Sequence, residues 1–272
     1  MIFKKKLERI IDKNNSLLCV GLDPEMEKIP PHLKKLKYPF FEFNKEIIDA
    51  TYDLVCAYKP NIAFYESLGI KGLEQLKMTV DFLQKKYPEI PIVVDAKRGD
   101  IGNTMNHYAK SIFEYWKFDA VTVHPFLGLD SLKPFFQYKD KLIIILVKFS
   151  NPDSKMFMDL KTGKDKFYLN VAKTIAKWPY DNIGIMAGAT YPQELQQLRN
   201  IFPDNIFLSP GLGAQGGDVN QAVGAGVDSR GKGIMFNASR AVIYASKGKD
   251  FNKIARDEAI KLKNEINKYR IL

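Results

Sequence analysis

Eight short apolar runs, many of them rich in β-branched residues, recur along the chain with longer amphipathic stretches between them. They occupy residues 17–20, 55–58, 92–94, 120–123, 142–147, 183–186, 206–208 and 233–236, and each is followed by a polar or Gly/Pro turn. Runs of this length read as buried strands, while a stretch such as 73–83, apolar at mixed three- and four-residue steps, reads as a helix. Strands alternating with helices imply βαβ units and a parallel sheet. Eight of them in about 240 residues fit a closed (β/α)8 TIM barrel, class α/β, better than an open sheet of six or so strands. At 272 residues and 46% hydrophobic, the chain can bury one large core, so residues 1–272 are expected to form a single barrel domain. No repeat of fixed period is visible, and the barrel reading rests on the number of strands.

In such a barrel, function gathers at the carboxyl ends of the strands. Those positions are unusually polar here. The first run leads into Gly21-Leu22-Asp23-Pro24, the second into Lys59-Pro60-Asn61, the fourth into His124-Pro125-Phe126 and the fifth into Ser150-Asn151-Pro152. The third leads into Asp95-Ala96-Lys97-Arg98-Gly99-Asp100-Ile101-Gly102, which crowds three ionisable groups at one strand end. Alternation along a strand puts Asp95 and Lys97 on one side, able to meet one substrate. Such a cluster is a functional candidate, and equally a candidate structural ion-pair network. The seventh run gives Ser209-Pro210-Gly211-Leu212-Gly213-Ala214-Gln215-Gly216-Gly217 and the eighth Asn237-Ala238-Ser239-Arg240. Glycines let backbone N–H groups approach an anion, barrels often bind phosphate after strands seven and eight, and Arg240 adds a permanently charged fork. A Gly-rich stretch without such an arginine reads as an ordinary turn.

The net charge of +10 raises a nucleic-acid hypothesis, since lysine and arginine neutralise phosphates. Its distribution argues otherwise: the cations are scattered among acids, as in Lys4-Lys5-Lys6-Leu7-Glu8-Arg9, and read as solvated helix faces. A positive field would still steer a small anionic substrate. Cys19 and Cys56 each lie inside an apolar run and read as small core residues. The start Met1-Ile2-Phe3-Lys4-Lys5-Lys6 lacks a signal-peptide pattern, and no apolar run approaches the roughly 18 residues of a membrane span. A soluble, cytoplasmic protein without membrane or nucleic-acid partners is the expectation. His32, His107 and His124 have no metal-ligand spacing, and no strand-linked Gly-x-Gly-x-x-Gly occurs, so neither metal nor cofactor is expected.

These blocks together resemble the orotidine 5′-phosphate decarboxylases, in the group with Arg-Gly between the lysine and the second aspartate of the Asp-x-Lys-x-x-Asp pattern. Asp95 to Thr104 carries the main motif. Leu22-Asp23-Pro24, Tyr58-Lys59-Pro60-Asn61, Ser150-Asn151-Pro152, Gly188-Ala189-Thr190, Pro210 to Gly216 and Ser239-Arg240 follow in the family's order, nearly end to end. Related sugar-phosphate lyases share the Asp-x-Lys-x-x-Asp pattern, so the specific resemblance depends on the other blocks.

The resemblance implies conversion of orotidine 5′-monophosphate to uridine 5′-monophosphate and CO2, in de novo pyrimidine synthesis. Lys97 would stabilise the carbanion at C6 and deliver its proton, with Asp95 flanking the substrate carboxylate and Lys59 and Asp95 holding Lys97 in a charged array. Asp100, Ile101 and Thr104 would reach across a two-fold interface, implying a homodimer with composite sites. Asp23 and Lys59 would meet the ribose hydroxyls, and Ser150 and Gln215 the pyrimidine edge. Gln215, Gly211 and Arg240 would surround the phosphate, with Pro210 beside them. The segments 151–166 and 216–232 are candidates for closing over the substrate, or are ordinary surface loops. The rivals are a magnesium-dependent hexulose-phosphate synthase and a basic nucleic-acid-binding barrel that has lost catalysis.

Overall fold

The computed structural model describes residues 2–212 and 219–270. Each of the eight apolar runs overlaps a strand: β1 Leu18–Gly21, β2 Ala57–Lys59, β3 Val93–Arg98, β4 Ala120–Val123, β5 Leu142–Lys148, β6 Ile183–Ala187, β7 Ile206–Pro210 and β8 Ile234–Ala238. They pair in parallel in the order β2-β1-β8-β7-β6-β5-β4-β3. The two ends of that sheet meet, because Tyr58 N–H donates to Pro91 O at 3.0 Å and Asp95 N–H to Pro60 O at 2.9 Å. The eight-stranded sheet is thereby closed into a barrel.

Parallel strands under a coat of helices are buried on both faces, which is why they read as unbroken apolar runs rather than as alternating ones. All seven residues of β5 are buried. The coat consists of α1 Ile2–Asn14, α2 Pro39–Thr51, α3 Gly69–Lys86, α4 Gly102–Lys110, α5 Leu129–Phe136, α6 Phe167–Ile175, α7 Pro192–Ile201, α8 Val219–Gly226 and α9 Phe251–Tyr269. Each turns one stripe inward: α9 buries Phe251, Ala255, Ala259, Leu262 and Ile266, at three- and four-residue steps. Among the described residues no helix is long and apolar enough to cross a membrane.

Helix α1 departs from the expectation of a freely solvated lysine-rich face. It buries Phe3, Leu7, Ile10 and Ile11, while Lys6 pairs with Asp119 just before β4 at 2.9 Å and Lys4 donates to the carbonyl of Asp204 just before β7 at 3.0 Å. Glu8 receives Arg230, and Asp12 pairs with Lys232, both just before β8. Its charges are placed to seat α1 across the amino end of the barrel, opposite the strand ends that carry the site.

The two segments read as candidate closing loops are more ordered than their composition suggested. Within 216–232 the described part is mostly helix α8, whose Val219, Ala222, Val223 and Ala225 are buried, followed by a turn in which Asp228 accepts from the N–H groups of Arg230 and Lys232 at 2.9 Å. Residues 213–218 lie outside the described structure. Within 151–166 a short helix, Lys155–Met158, leads into an antiparallel ribbon of Lys161–Thr162 with Asp165–Lys166. Asp159 ties this excursion back to the barrel by pairing with the fully buried Lys148 of β5 and, at 3.1 Å, with Lys166.

Candidate active site

Asp95 is the centre of the carboxyl-end chemistry. It lies in β3 itself, is 6% exposed, and accepts on Oδ1 from Lys97 Nζ at 2.6 Å and Thr122 Oγ1 at 2.8 Å. On Oδ2 it meets Lys97 Nζ at 2.7 Å, Asn61 Nδ2 at 3.4 Å and the buried ammonium of Lys59 at 3.5 Å. Burial pushes the Asp95 carboxyl up, but the charge of Lys59, then that of Lys97, and the bond from Thr122 more than reverse this and bring it down to about 2. Burial likewise opposes the charge on Lys59, and the carboxylates of Asp23 and Asp95 overcome it, holding the ammonium above the ordinary lysine range. One buried carboxylate between two ammonium groups is therefore charged throughout the neutral range.

Simple strand alternation does not account for the Asp95–Lys97 contact. Lys97 has φ +45°, in the left-handed region that a lysine rarely adopts, and the β3–β4 register shifts between Val94 and Arg98. This bulge re-aims the lysine toward Asp95. Thr122 of β4 secures it by accepting from the N–H groups of both Ala96 and Lys97 at 3.0 Å while donating to Asp95. Sequence reasoning passed over Thr122 because a threonine in an apolar strand looks like a core residue. It also assigned nothing to Asn61, whose N–H donates to Asp23 Oδ1 at 3.0 Å and whose side chain reaches Asp95, linking the two carboxylates.

The structure gathers most of the expected site residues around one cavity of about 240 Å3 at the barrel mouth. Asp23, Lys59 and Asp95 form one wall, Pro210, Gly211 and Arg240 another, and Ser150 a third. Two glycines allow this crowding. A Cβ on Gly21 would lie 1.8 Å from Ser239 Oγ, and one on Gly188 would lie 3.0 to 3.2 Å from Cβ, Cα and N of Ser150. Lys97, Asp100, Ile101 and Thr104 do not line this cavity; Lys97 joins its rim through Asp95, with its side chain 40% exposed. Asp100 accepts from the N–H of Ile101 at 2.7 Å, and Ile101 is 65% exposed at the start of α4. Gln215 lies outside the described residues.

His124, at the end of β4, stands near this array with Nδ1 buried and unpartnered among the described residues; burial, then the charge of Lys97, lowers its pKa. A larger groove, about 650 Å3, runs outside the barrel between α3 and α4, bordered by Ile70, Leu73, Ile112, Tyr115 and Trp116. Its charged groups, such as Glu66 and Arg98, pair with each other at 2.9 Å instead of converging on a ligand position, so the smaller, polar mouth cavity is the candidate site.

Residues 16–251 match the family described as Orotidine 5'-phosphate decarboxylase / HUMPS family. The chain belongs to this family. Among orotidine 5'-phosphate decarboxylases it is 45% identical over 260 residues to that of Flavobacterium johnsoniae, covering 95% of this chain and 94% of that one. It is also 45% identical to that of Cellvibrio japonicus, covering 98% of each. The solved OMP decarboxylase of Leishmania donovani superposes with a TM-score of 0.84 at 34% identity over 99% of both chains. Membership in the orotidine 5'-phosphate decarboxylase / HUMPS family agrees with the closed barrel and the mouth cavity, and its two-part description leaves the choice of reaction to the chemistry of the site.

Proposed function

We propose that this chain is an orotidine 5′-monophosphate decarboxylase, a carboxy-lyase producing uridine 5′-monophosphate and CO2 for de novo pyrimidine synthesis in the cytoplasm. The observation that carries the reading is the alternating array of Lys59, Asp95 and Lys97 at the mouth of the barrel. Loss of CO2 from C6 leaves a carbanion that the pyrimidine ring delocalises poorly, so fixed charge must stabilise it. Lys97, the member of the array with a substantially exposed side chain, is the group able to meet substrate: its ammonium stabilises charge at C6 and then gives C6 its proton. Asp95 faces the departing carboxylate and, itself held charged by Lys59, anchors the Lys97 ammonium through contacts at 2.6 and 2.7 Å. Whether crowding between Asp95 and that carboxylate strains the bound substrate is secondary to the charge that Lys97 supplies.

The rest of the nucleotide is read onto the site in the same order, with Gln215 assigned from the sequence alone. Asp23 and Lys59 take the ribose hydroxyls, Ser150 and Gln215 the pyrimidine edge, and Pro210, Gly211, Gln215 and Arg240 the phosphate end. A phosphate held this far from the bond that breaks supplies binding energy for organising the reacting centre. Asp100, Ile101 and Thr104 complete the site of a two-fold partner, which the exposure of Ile101 at 65%, Ile70 at 86% and Tyr115 at 61% beside the apolar groove supports. The test is absorbance-monitored turnover of orotidine 5′-monophosphate by the purified protein, with and without EDTA. The expected result is rapid turnover indifferent to EDTA; turnover of a hexulose or pentulose phosphate with magnesium, and none of the nucleotide, would overturn the reading.

A further inference from the structure

Asn237, on β8, lines the mouth cavity and is 7% exposed, and its buried Oδ1 has no hydrogen-bond partner among the described residues. A buried amide oxygen left unpaired costs stability, and no described residue compensates it. Its Nδ2 is engaged, weakly, by Ser239 Oγ at 3.4 Å, which turns the amide so that the oxygen is the free end. Ser239 is itself held against Gly21, where no side chain could fit. Asn237 lies opposite Pro210 of β7 on one side and Cys19 of β1 on the other, and so stands between the phosphate wall and the strand that leads to Asp23. We propose that Asn237 is a substrate-binding residue whose Oδ1 accepts a hydrogen bond from a ribose hydroxyl of the bound nucleotide.

The chemistry narrows the choice of ligand atom. An amide oxygen only accepts, and so do the phosphate oxygens near neutral pH, so Oδ1 does not bind the phosphate. A uridine or orotidine nucleotide offers donors only at its ribose hydroxyls and at the imide N–H of its base. Ser150, the residue read for the base edge, follows β5, which is not a neighbour of β8 in the barrel, while Asp23 follows the adjacent β1. A hydroxyl is the donor within the reach of Asn237. This assignment rests on the nucleotide reading of the cavity.

The experiment is a cycle between side chain and ligand. Affinities for uridine 5′-monophosphate, its 2′-deoxy and 3′-deoxy analogues and uridine are measured by calorimetry for the wild type, for Asn237→Leu, which is close to isosteric, and for Asn237→Ala, which adds no bulk. Both substitutions are expected to weaken uridine 5′-monophosphate about tenfold, the scale of one hydrogen bond, and to leave one of the two deoxy analogues nearly unaffected. Melting temperature is expected to hold or rise in Asn237→Leu, since an unpaired buried amide has been removed. Equal weakening of all four ligands, a loss that disappears with uridine instead of a deoxynucleotide, or no weakening at all would overturn the contact. A wild type that fails to bind uridine 5′-monophosphate would overturn the nucleotide reading along with it, so the two failures are distinguishable.

Discussion

Lys97 holds a backbone conformation that costs a non-glycine residue free energy, and the surrounding bonds explain why it persists. Thr122 fixes the peptide on each side of Ala96 and Asp95 fixes the ammonium, so the lysine arrives at the mouth with little freedom left. Thr122→Val is accordingly expected to strand two N–H groups and one carboxylate lone pair. The fold should lose about 1–3 kcal/mol, read by denaturant unfolding, and kcat should fall more than KM rises. The Asp95 carboxyl makes a separate prediction in pH. Its folded value, about 2, lies below the ordinary 3.8, so its ionised form stabilises the fold above the ordinary carboxylate range and that contribution is lost as pH falls from about 4 toward 2. In acid titrations of stability, the gap between wild type and Asp95→Asn should be constant from pH 5 to neutrality and close below about pH 4. A gap that narrows near pH 6 would mean that the lysines do not hold the carboxyl down.

At the scale of elements, the strands were legible because parallel strands buried on both faces leave contiguous apolar runs, and eight such runs admit few architectures. The bulge in β3 was not legible, because its positive φ falls on a lysine and no glycine or asparagine marks it. Helix α8 was obscured by glycines at 224 and 226 that suggested a loop, although Val219, Ala222 and Val223 carry a helical stripe. The role of α1 was hidden for another reason: its partners lie as far as 113 and 222 residues away, so local charge patterning showed only a mixed, solvent-like face. Close packing of β5 against β6 gives a prediction at this scale. Gly188→Ala would set a methyl group 3.0 Å from Ser150 Cβ and 3.1 Å from its Cα, displacing the end of β5 toward the cavity. An increase in KM with a loss of about tenfold in kcat/KM is expected, and wild-type kinetics would show that Ser150 is not held by this contact.

For the whole molecule, the barrel separates its tasks by end. Helix α1 and its ion pairs seat the amino end, and the carboxyl end carries the charged array and the cavity. What the single chain leaves apart is as informative as what it joins: Asp100, Ile101 and Thr104 belong to the same motif as Asp95 yet stand outside the cavity that Asp95 lines. If they complete a partner's site, a mixture of Lys97→Ala and Asp100→Ala chains, each inactive alone, will regain activity on subunit exchange. Half of the randomly paired dimers are mixed and each has one intact site, so roughly a quarter of wild-type activity is expected. No recovery, with dimers confirmed by sedimentation, would place Asp100 in the site of its own chain. The most direct test of the account remains Lys97. Single-turnover decarboxylation of orotidine 5′-monophosphate should fall by at least about 10³-fold in Lys97→Ala while uridine 5′-monophosphate still binds; turnover within tenfold of wild type would contradict the assignment of the reacting charge to this lysine.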